Sequence, residues 1–200
     1  RFSLQLTPAR QILLAAWFFI TFTNFSFWQA AFNAIGTDSW HSLLFLAALY
    51  LLLITWLNQI LSLLLLPWLF KPLLSVLLLG GATTAYFMDS YGVVIDREMI
   101  RNTLMTDPRE AGELLSLKLG LYLLLLGVLP VVLLLRSKIH YASFMKEVGY
   151  KFLTLVMTLV ISGGVAAAYY VDIASFARNN TYIRHMIVPV NYVGAIQSYI

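Results

Sequence analysis

Cysteine is absent from the 200 residues, which excludes a disulfide, a thiolate metal site and a cysteine nucleophile. The three histidines, His41, His140 and His185, stand in separate segments, so no local zinc spacing exists either. Charge is scarce: Asp, Glu, Lys and Arg make up 11% of the chain against 60% hydrophobic residues. A soluble domain of this length cannot bury so much apolar surface, because much of its exterior must stay wet. With a mean hydropathy of +0.82, the composition predicts an all-α integral membrane protein. Ionisable residues are also missing from deep within the apolar runs, where coupled transport usually needs them. Lys118 is terminal, and Asn58 and Gln59 are neutral. That weakens a reading as a small transporter subunit, while a purely structural membrane tether stays open. The chain opens on Arg1 rather than Met, and is expected to be a trimmed product or a fragment. Its first apolar run, about 21 residues, is too long for a signal-peptide core. The net charge of +4 suits anionic headgroups.

Five apolar runs remain, at about 12–32, 42–66, 73–88, 114–135 and 152–171. At ~1.5 Å per residue they answer to ~30 Å of hydrocarbon. Residues 1–172 are therefore expected to form a five-span domain, and 173–200 a mixed polar and aromatic segment that does not read as another span. The first run carries a polar stripe, Thr21, Asn24 and Gln29 with Thr23 and Ser26 nearby. It is expected to hydrogen-bond a neighbouring helix; lining for a lipid headgroup is the alternative. Trp28 and Trp40 suit an interface. Thr55, Asn58 and Gln59 in the second run can pair with a polar neighbour. Pro67 and Pro72 bracket a turn holding Lys71, Gly80-Gly81-Ala82 permits close backbone approach, and Pro130 predicts a kink. Arg136, Lys138, Lys146 and Lys151 concentrate in one short loop. By the positive-inside rule this places the amino terminus in the cytoplasm and residues 86–115 and 173–200 on the outer side of the membrane.

The stretch 86–115 holds six of the nine acidic residues. Tyr91-Gly92 ends the third run. Asp96 can cap a short helix with Arg97, Glu98, Arg101 and Asn102 polar and Ile95, Met99, Ile100 and Leu104 apolar, an amphipathic piece fit for the membrane surface. Asp107-Pro108-Arg109-Glu110 reads as a second helix start. Two interfacial helices are thus expected within 93–113. Asn102 and Thr106 share a helix face, and Glu110 follows after the break. An amide, a hydroxyl and a carboxylate suit a phosphoryl ester or an ammonium group. A cap at Thr106, a capping box between Glu110 and Asp107 and a solvated Asn102 are the simpler reading of the same residues.

Tyr86-Phe87-Met88-Asp89-Ser90-Tyr91-Gly92, continuing through Ile95-Asp96 and Met99 to Asn102, closely resembles the membrane domain of bacterial lipid A phosphoethanolamine transferases. That family includes the mobile colistin-resistance enzymes. Thr106-Asp107-Pro108-Arg109-Glu110-Ala111 resembles it too, as do Ala174 to Asn180, Tyr182-Ile183-Arg184 and Pro189-Val190-Asn191-Tyr192. The resemblance implies five transmembrane helices joined to a periplasmic, sulfatase-like catalytic domain with a threonine nucleophile and zinc. It implies transfer of phosphoethanolamine from phosphatidylethanolamine to lipid A, and resistance to polymyxin. Asn102, Thr106 and Glu110 match the family's substrate-binding set. Arg101, Arg109, Arg178 and Arg184 are candidates to attract lipid A phosphates, with interfacial anchoring as the plainer role. No residue matches the nucleophile or the metal ligands, so no cofactor is expected within these residues, zinc belonging to the implied catalytic domain. The expected partners are phosphatidylethanolamine, lipid A, membrane lipids and that domain, with no nucleic acid. The 200 residues alone are expected to be inactive.

Overall fold

The computed structural model describes residues 5–64, 69–105, 116–139 and 143–199. Nine helices follow one another among these residues: α1 Pro8–Phe22, α2 Phe25–Ile35, α3 Trp40–Leu64, α4 Phe70–Tyr91, α5 Arg97–Met105, α6 Leu117–Arg136, α7 Phe144–Ala168, α8 Tyr170–Asn179 and α9 Val190–Tyr199. A 3₁₀ turn, Ile183–Met186, precedes α9. Four of the helices, α3, α4, α6 and α7, are long and apolar enough to cross a membrane. The pair α1 and α2, bent by 63°, passes the same test together and, counted as one broken span, makes a fifth.

That bend falls within the apolar run read at 12–32, and its cause is local. Thr23 Oγ1 donates back to the Phe19 carbonyl at 2.9 Å, and Asn24 Nδ2 donates to the same oxygen at 2.8 Å. Side-chain insertion of this kind interrupts a helical ladder. The last carbonyls of a helix need other partners, and Ile20 finds one in the Trp28 indole N–H at 2.7 Å. Thr21 Oγ1 meets Tyr50 Oη of α3 at 2.8 Å, the neighbour contact expected of the polar stripe. Gln29 is exposed.

The core lies between α1, α2, α3, α4 and the tail. Ala16, Phe19, Ile20 and Ala31 are fully buried, and so are Ile183 and Val188. Half of the best apolar window of α3 and of α4 is buried, against 11% for α6 and 6% for α7. The last two spans therefore pack on one side only, α6 against α4 and α7 against α3, and turn the rest toward lipid. Gln59 Nε2 reaches Ser162 Oγ of α7 at 3.1 Å. Among the described residues, neither amide atom of fully buried Asn58 has a hydrogen-bond partner.

Glycine sets how closely these elements approach. A Cβ on Gly81 would lie 2.8 Å from Phe19 Cε1, and one on Gly80 3.2 Å from the Tyr192 ring. A Cβ on Gly127 would stand 3.1 Å from Leu79 Cδ2 and 3.3 Å from Ala82 Cβ. Gly127 falls in a π-helical stretch of α6, Leu123–Val128, immediately before Leu129-Pro130. Proline lacks the N–H and crowds the preceding turn, so the helix widens there to i→i+5 bonding. Where the sequence predicts a kink at Pro130, the chain has this widened turn.

At the end of the bundle holding the amino terminus, Lys71 Nζ donates to the carbonyls of Leu135 at 3.1 Å and Ser137 at 2.8 Å. A lysine is well placed on the negative end of a helix. Gln11 Nε2 donates to Ser137 Oγ at 2.7 Å. Two-residue strands, β1 Gln5–Leu6 and β2 Lys138–Ile139, pair in parallel, with Gln5 opposite Lys138. The basic loop between the fourth and fifth runs is shorter than expected, because α7 already begins at Phe144.

The tail folds back onto the spans. Asn24 is 1% exposed, and its amide grips Val188 on both sides: Nδ2 donates to the Val188 carbonyl at 3.0 Å, and Oδ1 accepts from the Val188 N–H at 2.8 Å. Tyr192 Oη donates to the Leu77 carbonyl at 2.7 Å. Leu77 stands 14 residues before the end of α4, about 21 Å along the helix, so the tail inserts well below the α5 end of the bundle.

Asn24→Ala leaves the buried Val188 N–H and carbonyl without their partners, at roughly 1–3 kcal/mol per group. It is expected to lower the apparent Tm in detergent and to speed proteolysis within residues 180–199; an unchanged melting curve and digest would contradict the clamp. Gly81→Ala forces a methyl against the enclosed Phe19 ring, an overpacking cost of about 1–3 kcal/mol. The same melting assay checks it, with Gly120→Ala as a control, since a Cβ on Gly120 meets nothing within 4 Å.

Candidate functional site

Helix α5 follows α4 after one sharp turn. Gly92 closes α4 in the left-handed region, at φ 65°, and donates to the Met88 carbonyl at 3.0 Å. This is the glycine-terminated helix end the sequence predicts. Asp96 Oδ1 then accepts from the Met99 N–H at 2.8 Å and caps α5. Ile95 is buried, and Met99 and Ile100 pack against the core. Arg97, Glu98, Arg101 and Asn102 are exposed. The amphipathic reading of this segment holds, and α5 lies against tail helix α9.

Of the residues singled out from the sequence, Asn102 is on the exposed face of α5. Thr106, Arg109 and Glu110 lie outside the described residues, as does the expected second helix start at Asp107-Pro108. Arg101 Nη1 stands 3.8 Å from Glu98 Oε2, an exposed pair that contributes little to stability. Arg178 is in the last turn of α8, where a cation suits the helix dipole. Arg184 Nε donates to His185 Nε2 at 3.2 Å in the 3₁₀ turn.

A different set of side chains converges at the same end. Asp89, in the last turn of α4, accepts at Oδ1 from the Ser26 N–H at 3.2 Å and from the Ser26 hydroxyl. Its Oδ2 accepts from Tyr122 Oη at 3.1 Å. Tyr86 Oη meets Ser116 Oγ at 2.7 Å, and Ser116 Oγ in turn caps α6 by accepting from the Leu119 N–H at 3.1 Å. The Tyr86 ring stands edge-on to Phe87, Tyr91 and Tyr122, with centroids 5.2, 5.8 and 5.7 Å away. Lys118 Nζ lies 5.9 Å from the Tyr122 ring centroid. The polar stripe in the first span thus serves α4 and the tail, through Ser26 and Asn24.

Sequence reasoning passed over Asp89 as one charge among many. One signal was available: a carboxylate in the last turn of a helix faces the negative end of its dipole, so it needs partners from elsewhere. Tyr192 was equally hidden. Burial pushes its phenol well above the ordinary value, so it stays protonated and able to donate to Leu77.

Among the described residues no three His, Asp or Glu side chains come together as a metal ion would need. His41 Nε2 and Asp172 Oδ2 approach to 3.6 Å, but as an isolated pair. The described residues therefore do not fit a zinc ion.

Comparison with known proteins agrees with this architecture. The family described as "Phosphoethanolamine transferase EptA/EptB" matches residues 53–200. Phosphoethanolamine transferase EptA of Escherichia coli K12 is 32% identical over 189 residues, 94% of this chain and 35% of that protein. Phosphatidylethanolamine transferase Mcr-2 of Escherichia coli is 35% identical over 130 residues, 63% of this chain and 23% of that protein. The solved integral membrane lipooligosaccharide phosphoethanolamine transferase A of Neisseria meningitidis superposes with a TM-score of 0.93 at 25% identity, covering 98% of this chain and 36% of that one. The chain spans about a third of the length of the full relatives it matches. Five spans, a capped interfacial helix after the third and a matching sequence over most of the length lead to one family: the chain belongs to the EptA/EptB phosphoethanolamine transferases, as their amino-terminal membrane domain.

Proposed function

We propose that this membrane domain serves a phosphoethanolamine transferase that takes its donor group from phosphatidylethanolamine and passes it to lipid A, giving resistance to polymyxin and related cationic peptides. Its own part is to anchor the enzyme in the inner membrane and to hold the donor headgroup near the surface. The observation that carries this reading is the docking of α5: its apolar face is sunk in the core, while Asn102 stands exposed at the end of the bundle. Asn102, Thr106 and Glu110 supply an amide, a hydroxyl and a carboxylate, a set that suits the phosphate oxygens and the ammonium of one headgroup. Orientation of this kind is a large catalytic contribution, up to about 7–11 kcal/mol in ideal cases.

The group-transfer chemistry belongs, on this reading, to the remaining length of the protein. A sulfatase-like periplasmic domain with a threonine nucleophile and zinc would act on the phosphorus from the aqueous side, releasing diacylglycerol. The end bearing α5 then faces the periplasm and the amino terminus the cytoplasm. Exposed Arg101, Arg178 and Arg184, with Arg109, would draw the anionic phosphates of lipid A toward that surface. Nothing in the geometry favours a transporter.

Asn102→Ala, Thr106→Ala and Glu110→Ala, each in a full-length protein carrying this domain, are expected to cut lipid A modification roughly tenfold or more, the scale of one lost polar contact to a charged group. Mass spectrometry of extracted lipid A, at matched protein levels, reads the result. Unchanged modification in all three would remove the headgroup assignment.

A further inference from the structure

We infer that Asp89, at the Tyr122 hydroxyl, and Lys118, over the Tyr122 ring, form a second site for a zwitterionic ethanolamine phospholipid headgroup. The inference rests on the donor named above and adds to it a place where that donor is met at the outer edge of the spans.

Asp89 stands where its own helix disfavours it, at the negative end of α4. The first turn of α2, the positive end of that helix, answers with the Ser26 N–H and hydroxyl, and Tyr122 adds a third donor. All three donors are neutral. A carboxylate offers about four acceptor positions, so these three donors leave this one with capacity to spare. Among the described residues no cation forms an ion pair with it, and Lys118 is not paired with it either. A carboxylate in the last turn of a span with no cationic partner among the described residues points to a cationic ligand.

The surroundings specify which cation. Tyr86, Phe87, Tyr91 and Tyr122 form one connected group of rings about this position. Ring faces attract ammonium groups, and rings with a carboxylate are a recurrent way to hold them. Lys118 already lies over the Tyr122 ring. It supplies the opposite charge for a phosphate, while Asp89 supplies the charge for the ammonium. A headgroup that carries both a phosphate and an ammonium is complementary in charge to this pair. An anionic glycerol headgroup is not, because it brings no cation to Asp89. Tyrosines at an interface are common without a ligand, but an interface belt alone does not require a carboxylate in the last turn of a span.

The test is binding of short-chain phosphatidylethanolamine and short-chain phosphatidylglycerol to the purified chain in detergent, by displacement of a fluorescent lipid. Asp89→Asn keeps an acceptor for Ser26 and removes only the charge. It is expected to weaken phosphatidylethanolamine roughly tenfold and to leave phosphatidylglycerol unchanged or tighter. Lys118→Ala changes an exposed side chain, so folding is not at issue, and it is expected to weaken both lipids. Should Asp89→Asn fail to fold by thermal melting, Lys118→Ala and Tyr122→Leu decide in its place, the second by selective loss of phosphatidylethanolamine. Asp89→Asn and Tyr122→Leu variants that keep the parent preference overturn the Asp89 site alone, and the donor reading then stands on the lipid A assay of Asn102. A parent chain that binds both headgroups equally overturns the two together.

Discussion

One buried amide holds this architecture in place. Asn24 offers its side chain to both backbone groups of Val188 and to the Phe19 carbonyl, acting as a substitute peptide where two segments 164 residues apart meet. Away from water, an unmet N–H or carbonyl costs far more than a met one gains. The bend between α1 and α2, the seating of the tail and the approach of Ser26 to Asp89 therefore depend on one another. If the first span ran straight, the Ile20 carbonyl would return to its own helix and the tail would lose its anchor.

The structure divides its spans unequally. The bent first span, α3 and α4 enclose the tail and form the solid part, with Gly80, Gly81 and Gly127 letting backbone and rings come close. The other two spans lie outside that part. Each packs mainly against one partner, and each carries mostly apolar residues that lipid solvates as readily as protein does. Polar chemistry gathers at the two ends: a lysine and glutamine knot around Ser137 at one, and the Asp89 and α5 surface at the other.

Much of this was legible in the residues. Span number follows from hydrophobic length, and α5 from its alternation of Ile95, Met99 and Ile100 with charged neighbours. The end of α4 and the start of α5 follow from Gly92 and Asp96, because caps are local and need only a few residues of context. The bend at Asn24 was not legible, because an asparagine in an apolar run pairs equally well within its helix, across to another or with a distant loop. Val188, its partner, lies beyond four further spans. Tyr192 escaped for the same reason, since nothing near it in sequence names Leu77. Asp89 was visible as a charge; its neighbours Ser26 and Tyr122 come from other helices. Thr106, Arg109 and Glu110 fall outside the described residues, so the headgroup set found by pattern keeps only Asn102 on a placed helix.

The widened turn in α6 bears on how this span tolerates change. A π turn holds more residues per repeat than an α-helix, so 123–128 stores chain length that an ordinary helix would not accommodate. Loss of a single residue there lets the span relax to regular α-helical winding, with Leu129–Arg136 kept in register against α4. The same loss in the middle of α3 would turn every following side chain by about 100° and swing Gln59 away from Ser162. Among the spans, α6 is thus the one built to absorb a one-residue deletion.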